Sequence, residues 1–269
     1  MPIFTHDGLQ FNYSDSGTGM PVLFQHGLGT DLRQIVAQFQ APLGFRLLSM
    51  DFRAHGATHP LGPPEKISMA AFADDLAAFL ERQGIAQSVV GGSSMGAAVT
   101  LNFALRFPTR VQALILLRPC WLDRPLPANA RVFLSIARLI RQYGAKEGRQ
   151  QFSQSEEYQA MFQKWPYVTQ SLLGLFDYPH TEEMVTRYER IAQDAPCRDL
   201  KELAAIRVPT LVLANRDDPV HPFEYGPILA NAIPGATLRE LPPKSAGEAR
   251  HAAEVQRCIT EFVTTACRS

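Results

Sequence analysis

The sequence predicts an α/β fold, with a mostly parallel central sheet flanked by helices and a helical segment inserted into it. Three observations carry this expectation. Short apolar runs alternate with longer segments of helical periodicity, the pattern of strand–helix units layered around a sheet. Residues 126–200 hold helical patterns and no good strand, although strand–helix alternation resumes after them. One apolar run enters a helical segment through Gly91-Gly92-Ser93-Ser94-Met95-Gly96, where small residues let the backbone pass closely.

The elements follow in chain order. Val22-Leu23-Phe24 and Leu47-Leu48-Ser49-Met50 are apolar enough for buried strands, as expected where both sheet faces are covered. From Met69 to Arg82, the residues Met69, Phe72, Leu76, Phe79 and Leu80 recur at helical spacing. Ser68 offers an N-cap and Gly84 a stop. Val89-Val90 is a strand, and Ala97 to Phe107 is a helix. Ala113 to Leu117 and Thr210 to Ala214 are further buried strands, and the alternating Thr237 to Leu241 suits a sheet edge. Between them, Val132–Ile140 and Glu182–Ile191 are helical patterns, entered past Pro125 and Pro127. The expected division is a core of residues 1–125 and 201–269 and a helical cap of residues 126–200.

Composition narrows the class. The 269 residues are 46% hydrophobic, which is ample for a folded core. Lys plus Arg and Asp plus Glu both number 26, so no basic excess points to nucleic acid or to an anionic membrane. The four cysteines (Cys120, Cys197, Cys258 and Cys267) form no C-x-x-C pair, which signals neither zinc nor a redox dithiol. No apolar stretch reaches the roughly 18 residues of a membrane span, and the start shows no signal-peptide pattern. A soluble cytoplasmic protein is expected, with a small-molecule substrate, no metal or organic cofactor, and a homodimer left open.

The Gly92-Ser93-Ser94-Met95-Gly96 stretch is a G-x-S-x-G pattern between a strand and a helix. A serine so placed is lifted into the open at a helix N-terminus, where free amides favour negative charge. Around it, the chain resembles the α/β-hydrolase fold over nearly its whole length. Phe24-Gln25-His26-Gly27-Leu28-Gly29 is similar to that family's oxyanion loop. Asp51-Phe52-Arg53-Ala54-His55-Gly56 resembles its D-x-R-G-H-G turn with Ala54 in a glycine place. Leu213 to Pro222 resembles its acid-bearing loop, with Asn215 in a glycine place. The resemblance implies Ser94 as nucleophile and the amides of Leu28 and Met95 as the oxyanion hole. His26 and His55 are expected to shape loops.

A serine hydroxyl needs a base, and the base an orienting acid. The family spacing falls on Asp218, with Asp217 and Asp123 as alternatives. The histidine departs from the family, because no G-H pair follows the last strand and the usual place falls near Ser245 or Ala246. The expected base is His251. His221 is a stand-in, and the absence of any base also stays open. Arg33 and Arg118 could reach the site, with a surface role as the default for both. The segment 126–200 is rich in Phe, Trp, Tyr, Leu and Met, which suits a moderately apolar substrate, and zero net charge suits an uncharged one. The expected function is a serine hydrolase cleaving a small ester or lactone through an acyl-enzyme. Carbon–carbon bond hydrolysis, thioester hydrolysis and acyl transfer are alternatives on the same residues. A catalytically weak ligand-binding protein is the alternative of another class. Dehalogenation and epoxide opening are disfavoured, since the elbow would then carry Asp.

Overall fold

The computed structural model describes residues 1–266 of the chain, so Cys267 lies outside the described residues. An eight-stranded sheet has the order β1-β2-β4-β3-β5-β6-β7-β8. Its strands are β1 (Ile3–His6), β2 (Leu9–Gly17), β3 (Met20–Gln25), β4 (Phe45–Met50), β5 (Ser88–Ser93), β6 (Val111–Leu117), β7 (Thr210–Asn215) and β8 (Thr237–Leu241). From β4 through β8 all neighbours are parallel, whereas β1 with β2 and β2 with β4 are antiparallel. The hairpin β1–β2 was not among the expected strands. It lies at one edge, and β2 ends in exposed Asp15, Ser16 and Gly17, so it lacks the apolar run of a strand covered on both sides.

Strand alternation divides the core between the two faces. Leu23, Val90, Leu114 and Leu116 pack toward α2 (Met69–Arg82) and α3 (Met95–Arg106). Val22, Phe24, Val89, Ile115 and Leu213 pack with Ile35 of α1 (Leu32–Gln38) and Val255 and Ile259 of α9 (Glu248–Ala266). Both sets are buried, which is why these strands read as unbroken apolar runs. In α2 the Ser68 hydroxyl accepts from the Ala71 amide at 3.2 Å, and Gly84 sits at φ 67° beyond its end. Both match the sequence signals for that helix.

Between β6 and β7 the chain forms α4 (Arg131–Gln154), α5 (Glu156–Lys164), α6 (Pro166–Asp177) and α7 (Thr186–Ala192) and no strand. Gly144, at φ 75°, kinks α4. α7 begins at Thr186, later than the expected Glu182, because residues 180–185 form turns. α8 (Tyr225–Ala232) follows β7. The inserted helices sit over the C-terminal ends of the strands. The Tyr178 hydroxyl donates to Asp31 Oδ2 at 2.6 Å, and Arg187 Nη1 donates to the Ala54 carbonyl at 2.9 Å. A side chain on Gly29 would lie 2.4 Å from Leu175, so glycine there lets the insertion close on the loop after β3. Among the described residues, no helix is long and apolar enough to cross a membrane.

Candidate active site

Parallel strands deliver their C-terminal ends to one edge, where α/β sheets collect functional groups. Ser94 follows β5 directly, Arg118 follows β6, and Asp218, His221 and Lys244 lie in the loops after β7 and β8. Ser94 is held at φ 56°, ψ −113°, a sparsely populated conformation for a non-glycine residue, with strain of about 1–3 kcal/mol. The neighbouring glycines make this turn sterically feasible. A Cβ on Gly92 would lie 2.4 Å from the Gly96 carbonyl carbon, and one on Gly96 would lie 2.4 Å from the Gln25 oxygen. The Ser94 amide donates to Leu117 O at 2.9 Å, tying the turn to β6.

The hydroxyl of Ser94 lies 2.9 Å from His221 Nε2, and His221 Nδ1 lies 3.0 Å from Asp218 Oδ2. Asp218 Oδ1 accepts the amides of Val220 and His221, each at 3.1 Å. This side-chain-closed turn folds the imidazole back over its own loop. Arg118 Nη2 donates to the same Asp218 Oδ2 and lies 3.0 Å from His221 Nδ1. Two cationic or polar donors thus converge on one carboxylate. Burial would raise the Asp218 carboxyl, but the charges of His221 and Arg118 outweigh it and hold the group well below the ordinary carboxylate range. Burial pushes His221 below its ordinary value against the pull of Asp218, with Arg118 and Lys244 adding to the lowering. At neutral pH the imidazole is therefore uncharged. With Nδ1–H donated to Asp218, Nε2 keeps a lone pair facing Ser94.

The structure does not bring the expected base, His251, to Ser94. His251 stands in the first turn of α9, where its Nδ1 donates to Pro242 O at 2.8 Å, and it lines the adjoining cavity rather than the one that holds Ser94. It has neither a carboxylate partner nor a bond to Ser94 among the described residues. Burial pushes it down to about 4. The chain after β8 does not loop outward to carry His251 to Ser94. It makes one tight turn at residues 244–246 and enters α9. Of the competing acids, Asp217 is exposed at φ 58°, and Asp123 makes no hydrogen bond to either histidine. A local signal for His221 is present in the sequence, because an acid at i and a histidine at i+3 share one turn in which the carboxylate also accepts the i+2 and i+3 amides. Arg118 is likewise 8% exposed rather than at the surface. Arg33 is the surface arginine, paired with Asp31 at 2.5 Å.

The remaining loops frame the serine. Gly27 approaches so closely that a Cβ on it would lie 3.4 Å from Ser94 Cβ. Its amide is fixed by Gln34 Oε1 at 2.9 Å. Met95 is the first residue of α3, so its N–H has no acceptor within the helix. Leu28 follows Gly27 and lines the same cavity as Ser94. His26 Nδ1 donates to Gly27 O at 2.9 Å, and Nε2 accepts from the Phe52 amide at 3.1 Å. Burial holds this ring below its ordinary value, so it is a neutral loop brace. His55 is buried likewise and donates to Arg53 O at 2.8 Å. Asp51 accepts from the Leu32 amide, the Ala57 amide and Asn12 at 2.8–2.9 Å, which knits β2, α1 and the turn together. Ala54 takes the glycine place at φ 56°, a conformation an alanine adopts at a cost of about 1–2 kcal/mol.

A cavity of about 220 Å³ opens over Ser94. Its walls are Leu28, Phe133, Val168, Leu172, Leu175 and Val220, and its polar groups include Thr30, Gln34, Tyr167, His221 and Lys244. Phe133, Val168, Leu172 and Leu175 come from the inserted helices α4 and α6.

A strand–turn–helix with Ser94 at its apex, the Asp218–His221 loop after β7 and a helical insertion after β6, mounted on this sheet, define one class. The chain belongs to the α/β-hydrolase family: the family model for the alpha/beta hydrolase fold matches residues 20–245, and the enzyme is a hydrolase. A relative with the provisional name carbamate hydrolase RutD, from Klebsiella pneumoniae (strain 342), is 30% identical over 203 residues, covering 74% of this chain and 73% of its own. The 3-oxoadipate enol-lactonase 2 of Acinetobacter baylyi is 26% identical over 269 residues, covering 96% of this chain and 94% of its own. Among solved structures, a thermophilic esterase from Thermogutta terrifontis, with malate bound, matches with a TM-score of 0.76 and 25% identity. That match covers 98% of this chain and 97% of the esterase.

Proposed function

We propose that the protein is a serine hydrolase that cleaves a small, moderately apolar carboxylic ester or lactone through an acyl-enzyme. The reading rests on the relay from Ser94 Oγ to His221 Nε2 at 2.9 Å and from His221 Nδ1 to Asp218 Oδ2 at 3.0 Å, at the floor of a cavity. Ser94 Oγ attacks the substrate carbonyl as His221 Nε2 takes its proton. Asp218, itself held by Arg118, fixes the tautomer and stabilises the imidazolium. The N–H groups of Leu28 and Met95 receive the oxyanion, each contributing about 3 kcal/mol. His221 then protonates the leaving oxygen. Water, deprotonated by the same nitrogen, releases the acid and restores Ser94.

The segment 126–200 acts in this reading as a cap. Phe133, Val168, Leu172 and Leu175 cover the site, favour an apolar substrate portion and keep bulk water away. Ester and lactone cleavage is favoured by the names of the enol-lactonase and esterase relatives. The test is a fluorophosphonate probe together with p-nitrophenyl acetate. Stoichiometric labelling and turnover, both lost in Ser94→Ala, are expected. A protein that neither labels nor turns over the ester would be the inert binding protein instead.

A further inference from the structure

Lys244 stands close to where the family histidine is expected, yet its side chain takes no part in the relay. It lines both the Ser94 cavity and a contiguous one of about 170 Å³, which share Ser93, Arg118, Lys244 and Glu248. Among the described residues, its ammonium has no hydrogen-bond or ion-pair partner, although other cations near the site are paired. Burial, aided by the charge of Arg118, brings it down to about 8, so it still carries its charge at neutral pH.

The nearby acids are already engaged. Asp218 accepts from Arg118, His221 and two backbone amides. Glu248 accepts from the Tyr167 hydroxyl and is exposed. Arg118 lines both cavities, and its Nη1 makes no hydrogen bond among the described residues, so the guanidinium has a donor to spare. A half-buried ammonium and an unpaired guanidinium N–H beside one cavity are costly unless an anion meets them.

We propose that Lys244 and Arg118 form an anion subsite and that the substrate carries a carboxylate at the end remote from the scissile carbonyl. The proposal rests on the hydrolase reading of Ser94 only for which bond is cut. A monoanion fits better than a phosphate dianion: one ammonium and one N–H are free, and Glu248 at the rim repels a second negative charge. The apolar wall and the cationic end then bind the two halves of one molecule.

The test is binding, which needs no turnover. Ser94→Ala is titrated calorimetrically at pH 7 with the monomethyl esters of succinate, glutarate and adipate and with the matching dimethyl esters. At least one half-ester is expected to bind at least tenfold more tightly than its diester. That ratio should fall to about one when Lys244→Met is added, and return with Lys244→Arg. Diesters that match the half-esters throughout, half-esters that do not bind, or a ratio unchanged by Lys244→Met would each overturn the proposal. The ratio measured on Ser94→Ala alone decides even if the added Lys244→Met fails to fold. Because Ser94→Ala cannot turn over, a failure of fluorophosphonate labelling tells only against the hydrolase reading.

Discussion

Replacing His221 with alanine separates the two histidines that compete for the base. Its Nε2 lies 2.9 Å from Ser94 Oγ, and its Nδ1 is 3.0 Å from a carboxylate held by Arg118. The variant therefore loses the proton acceptor and leaves Asp218 with no imidazole to orient. General-base removal at such a site costs about 10³-fold or more in kcat, or about 4 kcal/mol of transition-state stabilisation. His251→Ala removes a hydrogen bond to Pro242 O at 2.8 Å, which is worth about 1 kcal/mol of stability. It leaves the Ser94–His221 contact in place. The assay is p-nitrophenyl acetate hydrolysis at saturating ester, with urea unfolding as the control for folding. His221→Ala should lose at least a hundredfold more kcat than His251→Ala. Equal losses, or the reverse order, would refute the assignment.

Two further outcomes test the electrostatics and the packing. His221 must be neutral to act, and burial holds it below its ordinary value of 6.5. The acid limb of kcat/KM for a neutral ester should therefore have its midpoint below 6.5, and a midpoint above 6.5 would contradict the geometry. Gly92→Ala forces a Cβ to 2.4 Å from backbone of Gly96, whereas Gly174, exposed in α6, has nothing within 4 Å. Urea denaturation should show Gly92→Ala destabilised by about 3 kcal/mol and Gly174→Ala stabilised by up to about 1 kcal/mol.

Most of the fold was legible because its causes are local in sequence. The elbow shows in Gly92 and Gly96 because the clash each avoids is backbone against backbone. Helix α2 shows because cap, apolar face and stop lie within one stretch, Ser68 to Gly84. The hairpin β1–β2 did not show, since a partly exposed edge lacks the apolar run of a central strand. At the site, Asp218 was legible from spacing and His221 only as a stand-in. Which imidazole reaches Ser94 depends on where α9 begins, and a shift of a few residues in that helix decides whether the loop after β8 can reach. Arg118 reads as able to reach the site but by default as a surface residue, because a lone arginine after a strand carries no pattern. Its burial comes from pairing with Asp218, 100 positions away.

Carrying acid and base on one loop makes the relay depend on whatever fixes that loop, and Asn129 is the tie. It stands where the inserted segment begins. Its Nδ2 donates to Val220 O at 2.8 Å and to Cys120 O at 2.9 Å, while its Oδ1 accepts from the Tyr225 hydroxyl at 2.9 Å. Val220 lies between Asp218 and His221, so this contact sets the height of the loop over Ser94. Asn129→Ala strands two carbonyls and a hydroxyl, costing about 2–3 kcal/mol of stability in total. A purely structural role would stop there, leaving kcat of the folded fraction as it was. A positioning role would also let His221 drift, and displacements of about 1 Å cost up to 10²-fold in rate. We therefore expect kcat to fall about tenfold or more for Asn129→Ala with KM nearly constant, and the fluorophosphonate labelling rate of Ser94 to fall in parallel. Lost stability with unchanged kcat and labelling rate would show that the loop holds its own geometry without the tie to the insertion.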